Sequence, residues 1–197
     1  IKGGYKPIAH VYNALINGFV GASKFKDAIR VSREMESAHC SPTIVTYITL
    51  INGLCKAKRF DEAYDLVKEM LRKGLKPGVI TYSVLIKGLC LGHKVEMALK
   101  LWNLVISEGL RPDVQMHNIL IHGLCSVGKT QLAVSLYLEM KHRTCAPSLV
   151  THNTLMEGFY KEGDLLSASV IWARILRNGL QPDIISYNIT LKGLCSC

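Results

Sequence analysis

Apolar residues fall on helical stripes that come in pairs. In residues 79–113, Tyr82, Leu85, Ile86, Leu89 and Cys90 follow the i, i+3, i+4, i+7, i+8 spacing of one helix face. Val95, Ala98, Leu99, Trp102, Val105 and Ile106 trace a second stripe, after the polar turn Leu91-Gly92-His93-Lys94. The second stripe ends at a glycine, and a proline follows three residues later (Gly74/Pro77, Gly109/Pro112, Gly179/Pro182). A glycine past the last turn and a proline soon after are helix stop signals. Strand-type alternation is absent, so the pattern predicts helix pairs throughout.

The pairs keep one period. Pro7, Pro42, Pro77, Pro112, Pro147 and Pro182 are spaced by 35 residues. Gly18, Gly53, Gly88, Gly123, Gly158 and Gly193 keep the same beat, as do Ala28, Ala63, Ala98, Ala133 and Ala168. Three residue types locked to one period define a repeat array. One helical pair cannot bury its own apolar face, so the pairs are expected to stack. The expected fold is all-α, a right-handed α-solenoid of 35-residue helix-turn-helix repeats. The expected organisation is a single solenoid fragment over 1–197. Residues 1–8 are the tail of a preceding repeat. Five full units follow at 9–43, 44–78, 79–113, 114–148 and 149–183, and 184–197 is the first helix of a sixth. A glycine inside a helix costs about 1 kcal/mol relative to alanine. Its return in all six first helices therefore predicts close approach by a neighbouring helix.

Composition narrows the function. Net charge is +9 with pI ≈ 9.2, which favours an anionic partner. No run of 18 apolar residues exists, so no membrane span is expected. Residues from Ile1 resemble neither a signal nor a transit peptide, and the ending at LCSC leads us to expect more chain beyond it. Four of the seven cysteines stand in Gly-Leu-Cys, at Cys55, Cys90, Cys125 and Cys195. They are read as small buried apolar residues. No C-x-x-C pair is present, so neither metal nor cofactor is expected.

One octet points elsewhere. GLCSVGKT, residues 123–130, satisfies the phosphate-loop pattern. That loop needs a preceding strand, whereas here Gly123 lies within a predicted helix and Gly128-Lys129-Thr130 forms the turn to the next. The repeat explains both glycines, so no enzyme and no small-molecule substrate are expected.

A helical wheel locates a face away from the core. With the residue five after each proline at 0°, those eight, nine, twelve and thirteen after the proline fall within about 80°. The residue six after lies at about 100°, ten after at about 140°, three after at about 160° and fourteen after at about 180°. Three after proline stand His10, Val45, Ile80, Gln115, Val150 and Ile185. Six after stand Asn13, Ile48, Ser83, Asn118, Asn153 and Asn188. Fourteen after, Lys56 and Lys161 carry charge, while Gly21, Leu91 and Ser126 break the column. Asparagine is a poor helix former, so its recurrence suggests selection for a hydrogen-bonding tip. Amide tips beside aliphatic wedges and occasional lysines suit single-stranded RNA.

The segments VTYITLINGLCKAKRFDEAYDLVKEMLRKGLKPG (45–78) and VITYSVLIKGLCLGHKVEMALKLWNLVISEGLRPD (79–113) resemble the pentatricopeptide repeat family, over the whole chain. The uniform 35-residue length resembles its P-type branch. The tetratricopeptide repeat is a residue shorter and carries an early W-x-x-L-G-x-x-Y signature, absent here. The resemblance implies sequence-selective binding of single-stranded RNA in a plant organelle, mitochondrion or chloroplast, for RNA processing, stability or translation. It implies that each repeat reads one base through the residue six after its proline and the residue directly after the next proline. The residue three after sandwiches the base.

Carried over by position, the reading pairs are Asn13 with Thr43, Ile48 with Gly78, Ser83 with Asp113, Asn118 with Ser148, and Asn153 with Asp183. The partner of Asn188 would lie beyond residue 197. Val45, Ile80, Val150 and Ile185 become the base-sandwiching residues, and Lys56 and Lys161 the phosphate contacts. The family's correspondence implies G at Ser83/Asp113, C at Asn118/Ser148 and U at Asn153/Asp183. It implies a pyrimidine at Asn13/Thr43 and Asn188, and no choice at Ile48/Gly78. The footprint reads Y-N-G-C-U-Y from the 5′ end. His10 and Gln115 depart from the sandwich pattern.

Simpler roles compete. Thr43, Asp113, Ser148 and Asp183 are good helix N-caps, worth about 1 kcal/mol each. The aliphatic column can pack on the preceding repeat, and the lysines can be merely solvated. Tyr12, Tyr47, Tyr82 and Tyr187 lie on the core stripe, and His117 and His152 stand in for that tyrosine rather than binding metal. A protein–protein interaction scaffold, with other proteins as partners, is the alternative function.

Overall fold

The computed structural model describes residues 9–142 and 145–196. Pro7 and the expected 1–8 tail lie outside the described residues, as does Cys197. Two compact units divide between Leu89 and Cys90. Among the described residues all regular structure is helical.

In the first unit α1 (Ala9–Gly21) pairs with α2 (Phe25–Ser37), and α3 (Ile44–Lys56) with α4 (Phe60–Arg72). Helix α5 (Val79–Leu91) carries the boundary. The second unit holds α6 (Val95–Ser107), α7 (Val114–Ser126), α8 (Thr130–His142), α9 (Leu149–Lys161), α10 (Leu165–Arg177) and α11 (Ile184–Cys195). Within each unit the first helices of successive repeats pack side by side: α1 on α3, α7 on α9, α9 on α11. The second helices close over the seams, α2 on α3 and α8 on α9. The five alanines of the 35-residue beat are wholly buried.

The first helices begin two residues after a proline, where the chain is fixed in an extended entry. Thr43, Asp113, Ser148 and Asp183 adopt β-region N-cap geometry. Asp113 accepts from the Met116 N–H at 2.7 Å and Asp183 from the Ser186 N–H at 2.8 Å. These bonds satisfy donors that a helix start leaves open.

The glycine beat has a steric cause. A Cβ at Gly88 would strike the Cβ of Cys55, and one at Gly123 the Sγ of Cys90. At Gly158 it would lie 2.8 Å from the Sγ of Cys125. Gly53 meets Val20 in the same way, and Gly193 meets the Tyr160 ring. Gly-Leu-Cys is therefore a lock whose cysteine fills the notch made by the next repeat's glycine. Two expectations need correction. Gly18 has nothing within 4 Å of such a Cβ, because no earlier first helix is described beside α1. Cys195 is exposed, since α11 is the last helix among the described residues.

Burial pushes the thiol of Cys55 up to about 11, that of Cys90 to about 12 and that of Cys125 to about 11. These thiols stay protonated, and the thiolate is the reactive form. Iodoacetamide at mildly alkaline pH is expected to alkylate Cys195 in the folded chain and to spare Cys55, Cys90 and Cys125 until denaturant is added. Peptide mass spectrometry reads the outcome.

Candidate nucleic-acid interface

The phosphate-like octet dissolves into the repeat. Gly123 lies inside α7, and Gly128 has φ 70° in the turn between α7 and α8. Ser23, Lys58 and His93 hold the same left-handed turn position in other repeats, with φ 58–60°. Glycine adopts that conformation without the steric cost of a Cβ. Lys129 pairs with Glu96. The Thr130 hydroxyl donates to Glu162 Oε1 at 2.5 Å. A helix precedes the octet, and its cation and hydroxyl face carboxylates rather than a phosphate cradle.

The aliphatic column lies in solvent. Val45, Ile80, Val150 and Ile185 are 59–69 % exposed, in the first turn of their helices. Packing on the preceding repeat would have covered them. His10 and Gln115 are also exposed.

The amide column lies deeper than the wheel predicts. Asn13 and Asn118 are half-buried, Asn153 is only 6 % exposed, and Asn188 is exposed. A wheel describes one helix, and the next repeat's first helix covers part of this face. That helix also supplies partners. The Thr46 hydroxyl donates to Asn13 Oδ1 at 2.6 Å, and the Thr151 hydroxyl to Asn118 Oδ1 at 2.7 Å. Both threonines, four residues after a proline, are fully buried. Each threonine oxygen also accepts from the N-cap N–H, of Thr43 or Ser148, at 3.1 Å.

The Asn153 unit differs. The Ser186 hydroxyl donates to Asp183 Oδ1 at 2.9 Å. The Asn153 amide lies near that carboxylate. Among the described residues no donor meets Asn153 Oδ1. Hydrogen bonds from the Ser186 backbone N–H, then from its hydroxyl, hold the Asp183 carboxyl below the usual carboxylate range. Asp183 is thus an anion beside a reading-position amide. Where Ile48 replaces asparagine, the buried Thr81 hydroxyl has no partner among the described residues. Ser83 is half-buried, and its hydroxyl likewise has none.

A cleft of about 330 Å³ opens between α9 and α11. Ile185, Asn188 and Lys161 line it together with Tyr160, Ile189 and Lys192. It gathers one aliphatic wedge, one amide tip and one cation of the three sequence columns. Lys161 is exposed and pairs with Glu157 at 2.8 Å, so an anion there must compete with a carboxylate. Lys56 is exposed at the end of α3.

The core-stripe aromatics pack as expected at Tyr12, Tyr47 and Tyr82, which are buried. Tyr187 departs from this: it is 53 % exposed and meets Trp172 edge-on at 5.3 Å. His117 lies edge-on to Trp102 at 4.8 Å. His152 Nδ1 is 2.8 Å from the Ser148 carbonyl, and its Nε2 is 3.2 Å from the Tyr137 hydroxyl. Among the described residues no cluster of His, Cys, Asp or Glu is fit to hold a metal, and no helix is long and apolar enough to cross a membrane.

The sequence pattern of the PPR repeat family matches residues 7–56, 42–91, 112–160 and 147–196, and a second PPR repeat pattern matches 80–110. The chain belongs to the pentatricopeptide repeat (PPR) family. Its fold class is accordingly the all-α repeat solenoid. The maize PPR protein PPR10 is 26 % identical with a TM-score of 0.68, over 97 % of this chain and 32 % of that one. PPR10 in complex with an 18-nucleotide psaJ RNA element gives 20 % identity and a TM-score of 0.73, over 98 % and 32 %. The PPR domain of Arabidopsis thaliana protein-only RNase P 1, solved with tRNA, gives 13 % and 0.72, over 94 % and 97 %. This PPR chain thus spans about a third of the length of the maize protein. No curated protein sequence matches it.

The hydroxyl four after proline escaped the sequence reading. Thr46, Thr81, Thr151 and Ser186 recur there. A small hydroxyl column beside the core tyrosine was the available signal.

Proposed function

We propose that this PPR chain binds single-stranded RNA sequence-selectively, one base per repeat, and acts by occupying RNA rather than by catalysis. The cleft between α9 and α11 carries the reading, since it brings Ile185, Asn188 and Lys161 to one place. An aliphatic wedge can pack on a base face, an amide can meet a Watson–Crick edge, and lysine can face phosphate. The exposed aliphatic column extends the same arrangement to the repeats of Val45, Ile80 and Val150. PPR10, bound to RNA, and the RNase P relative, bound to tRNA, support an RNA partner.

The proposed base-reading residues are Asn13, Thr43, Ser83, Asp113, Asn118, Ser148, Asn153, Asp183 and Asn188. The N-cap role of Thr43, Asp113, Ser148 and Asp183 coexists with it, because a carboxylate or hydroxyl has a second acceptor site. The Ser83/Asp113 pair stands on sequence register alone. The expected setting is a mitochondrion or chloroplast, and fluorescence of the tagged full-length protein checks it.

Binding of UAGCUU RNA against a scrambled hexamer, titrated with salt, tests the partner class. The expected result is preference for UAGCUU and a log–log salt slope of about −0.7 per phosphate contact. No RNA binding at low salt, with capture of a defined protein partner, would favour the scaffold alternative.

A further inference from the structure

We infer that the hydroxyl four residues after a proline is a third specificity determinant, which sets the amide orientation of the preceding repeat's reading asparagine. This rests on the base-per-repeat reading and deepens it. Thr46 and Thr151 sit 2.6 and 2.7 Å from Asn13 Oδ1 and Asn118 Oδ1. Those lengths fit O–H···O bonds better than N–H···O bonds, whose usual length is about 2.9–3.0 Å. The acceptor side of each hydroxyl is taken by the N-cap N–H of Thr43 or Ser148. Its proton goes to the asparagine oxygen, the nearer of two acceptors, since the N-cap hydroxyl oxygens of Thr43 and Ser148 lie at 3.4 and 3.2 Å. With Oδ1 held inward, Asn13 and Asn118 offer only N–H donors to a base.

A donor-only tip suits cytosine, whose N3 is an acceptor, and opposes uracil, whose N3 carries a proton, so the pyrimidine expected at Asn13 narrows to cytosine. In the Asn153 unit the Ser186 proton is committed to Asp183, so no hydroxyl fixes the Asn153 amide. Asn153 Oδ1 is left without a protein donor among the described residues. That oxygen is buried, and a turn of the side chain is needed to bring it to the N3–H of uracil. The hydroxyl thus converts the identity of the N-cap, Ser148 or Asp183, into the orientation of the amide. The repeat with Ile48 supplies a natural deletion: Thr81 keeps the hydroxyl, buried and unmet, because no amide stands before it.

Fluorescence anisotropy with UAGCUU and UAGUUU compares C with U at the base facing Asn118. The native chain is expected to prefer C. Thr151→Val frees the amide to turn, so the C-to-U preference should fall roughly three- to tenfold, the value of one hydrogen bond. Thr151→Ser should restore it. A gain-of-function arm guards against misfolding of the valine variant. Ile48→Asn should create a preference for C over U at the second base, and Ile48→Asn with Thr81→Val should not. A native chain indifferent to C and U at the fourth base would sink the base reading and this inference with it. A native preference that survives Thr151→Val, or an Ile48→Asn preference that survives Thr81→Val, would overturn the inference alone and leave the base reading standing.

Discussion

Gly123→Ala destabilises the chain by roughly 1–3 kcal/mol, while Gly18→Ala stabilises it by up to about 1 kcal/mol. The two changes are identical in chemistry and share a helix position. In an isolated helix both would help, because alanine is the better helix former. The sign is set by the neighbour. A methyl at Gly123 meets the Cys90 sulfur inside the notch, whereas one at Gly18 meets open space. A packed interior relieves such overlap only by shifting a helix or forcing a rotamer. Urea unfolding of the two variants decides the matter. Equal and favourable shifts would mean that the glycine beat is not a packing lock. Cys90→Ala should relieve part of the Gly123→Ala loss, since the clash is with that side chain.

The second large effect is on recognition. Asn153→Ala should weaken binding of an RNA with U at the fifth base by roughly 1–3 kcal/mol. It should also bring the four bases at that position close together in affinity. Asn153 stands near the Asp183 carboxylate, so the loss includes a disturbed reading pair as well as one lost contact to the base. A uniform loss for every base, with selectivity intact, would assign Asn153 to repeat packing only. Thermal melting of the variant separates that outcome from unfolding.

The fold was legible because a few local signals repeat without exception. Prolines 35 residues apart set the helix starts, glycine and alanine mark the two kinds of helix contact, and the apolar stripe marks the core. Family membership followed from the same residues. The site was legible in part. The wheel put Val45, Ile80, Val150 and Ile185 in solvent, where they are. It put the asparagines too far out, since a one-helix projection cannot see the next repeat closing over them. Thr46 and Thr151 were hidden for a related reason: a threonine beside a core tyrosine reads as filler until its partner 33 residues earlier is in view. Lys161 read as a phosphate contact because its carboxylate, Glu157, is the lone acid in a column otherwise made of Asn17, Asn52, Lys87, His122 and Lys192. Gly18 and Cys195 keep the beat, but no helix among the described residues stands against them.

The most direct measurement is a set of hexamer RNAs based on UAGCUU, each base changed in turn, with the dissociation constant read for every member. The account predicts losses of tenfold or more at the fourth and fifth bases, on the order of 1.4 kcal/mol each, and indifference at the second, where Ile48 offers no hydrogen bond. Affinities that are flat across the set, or that fall most at the second base, would contradict it.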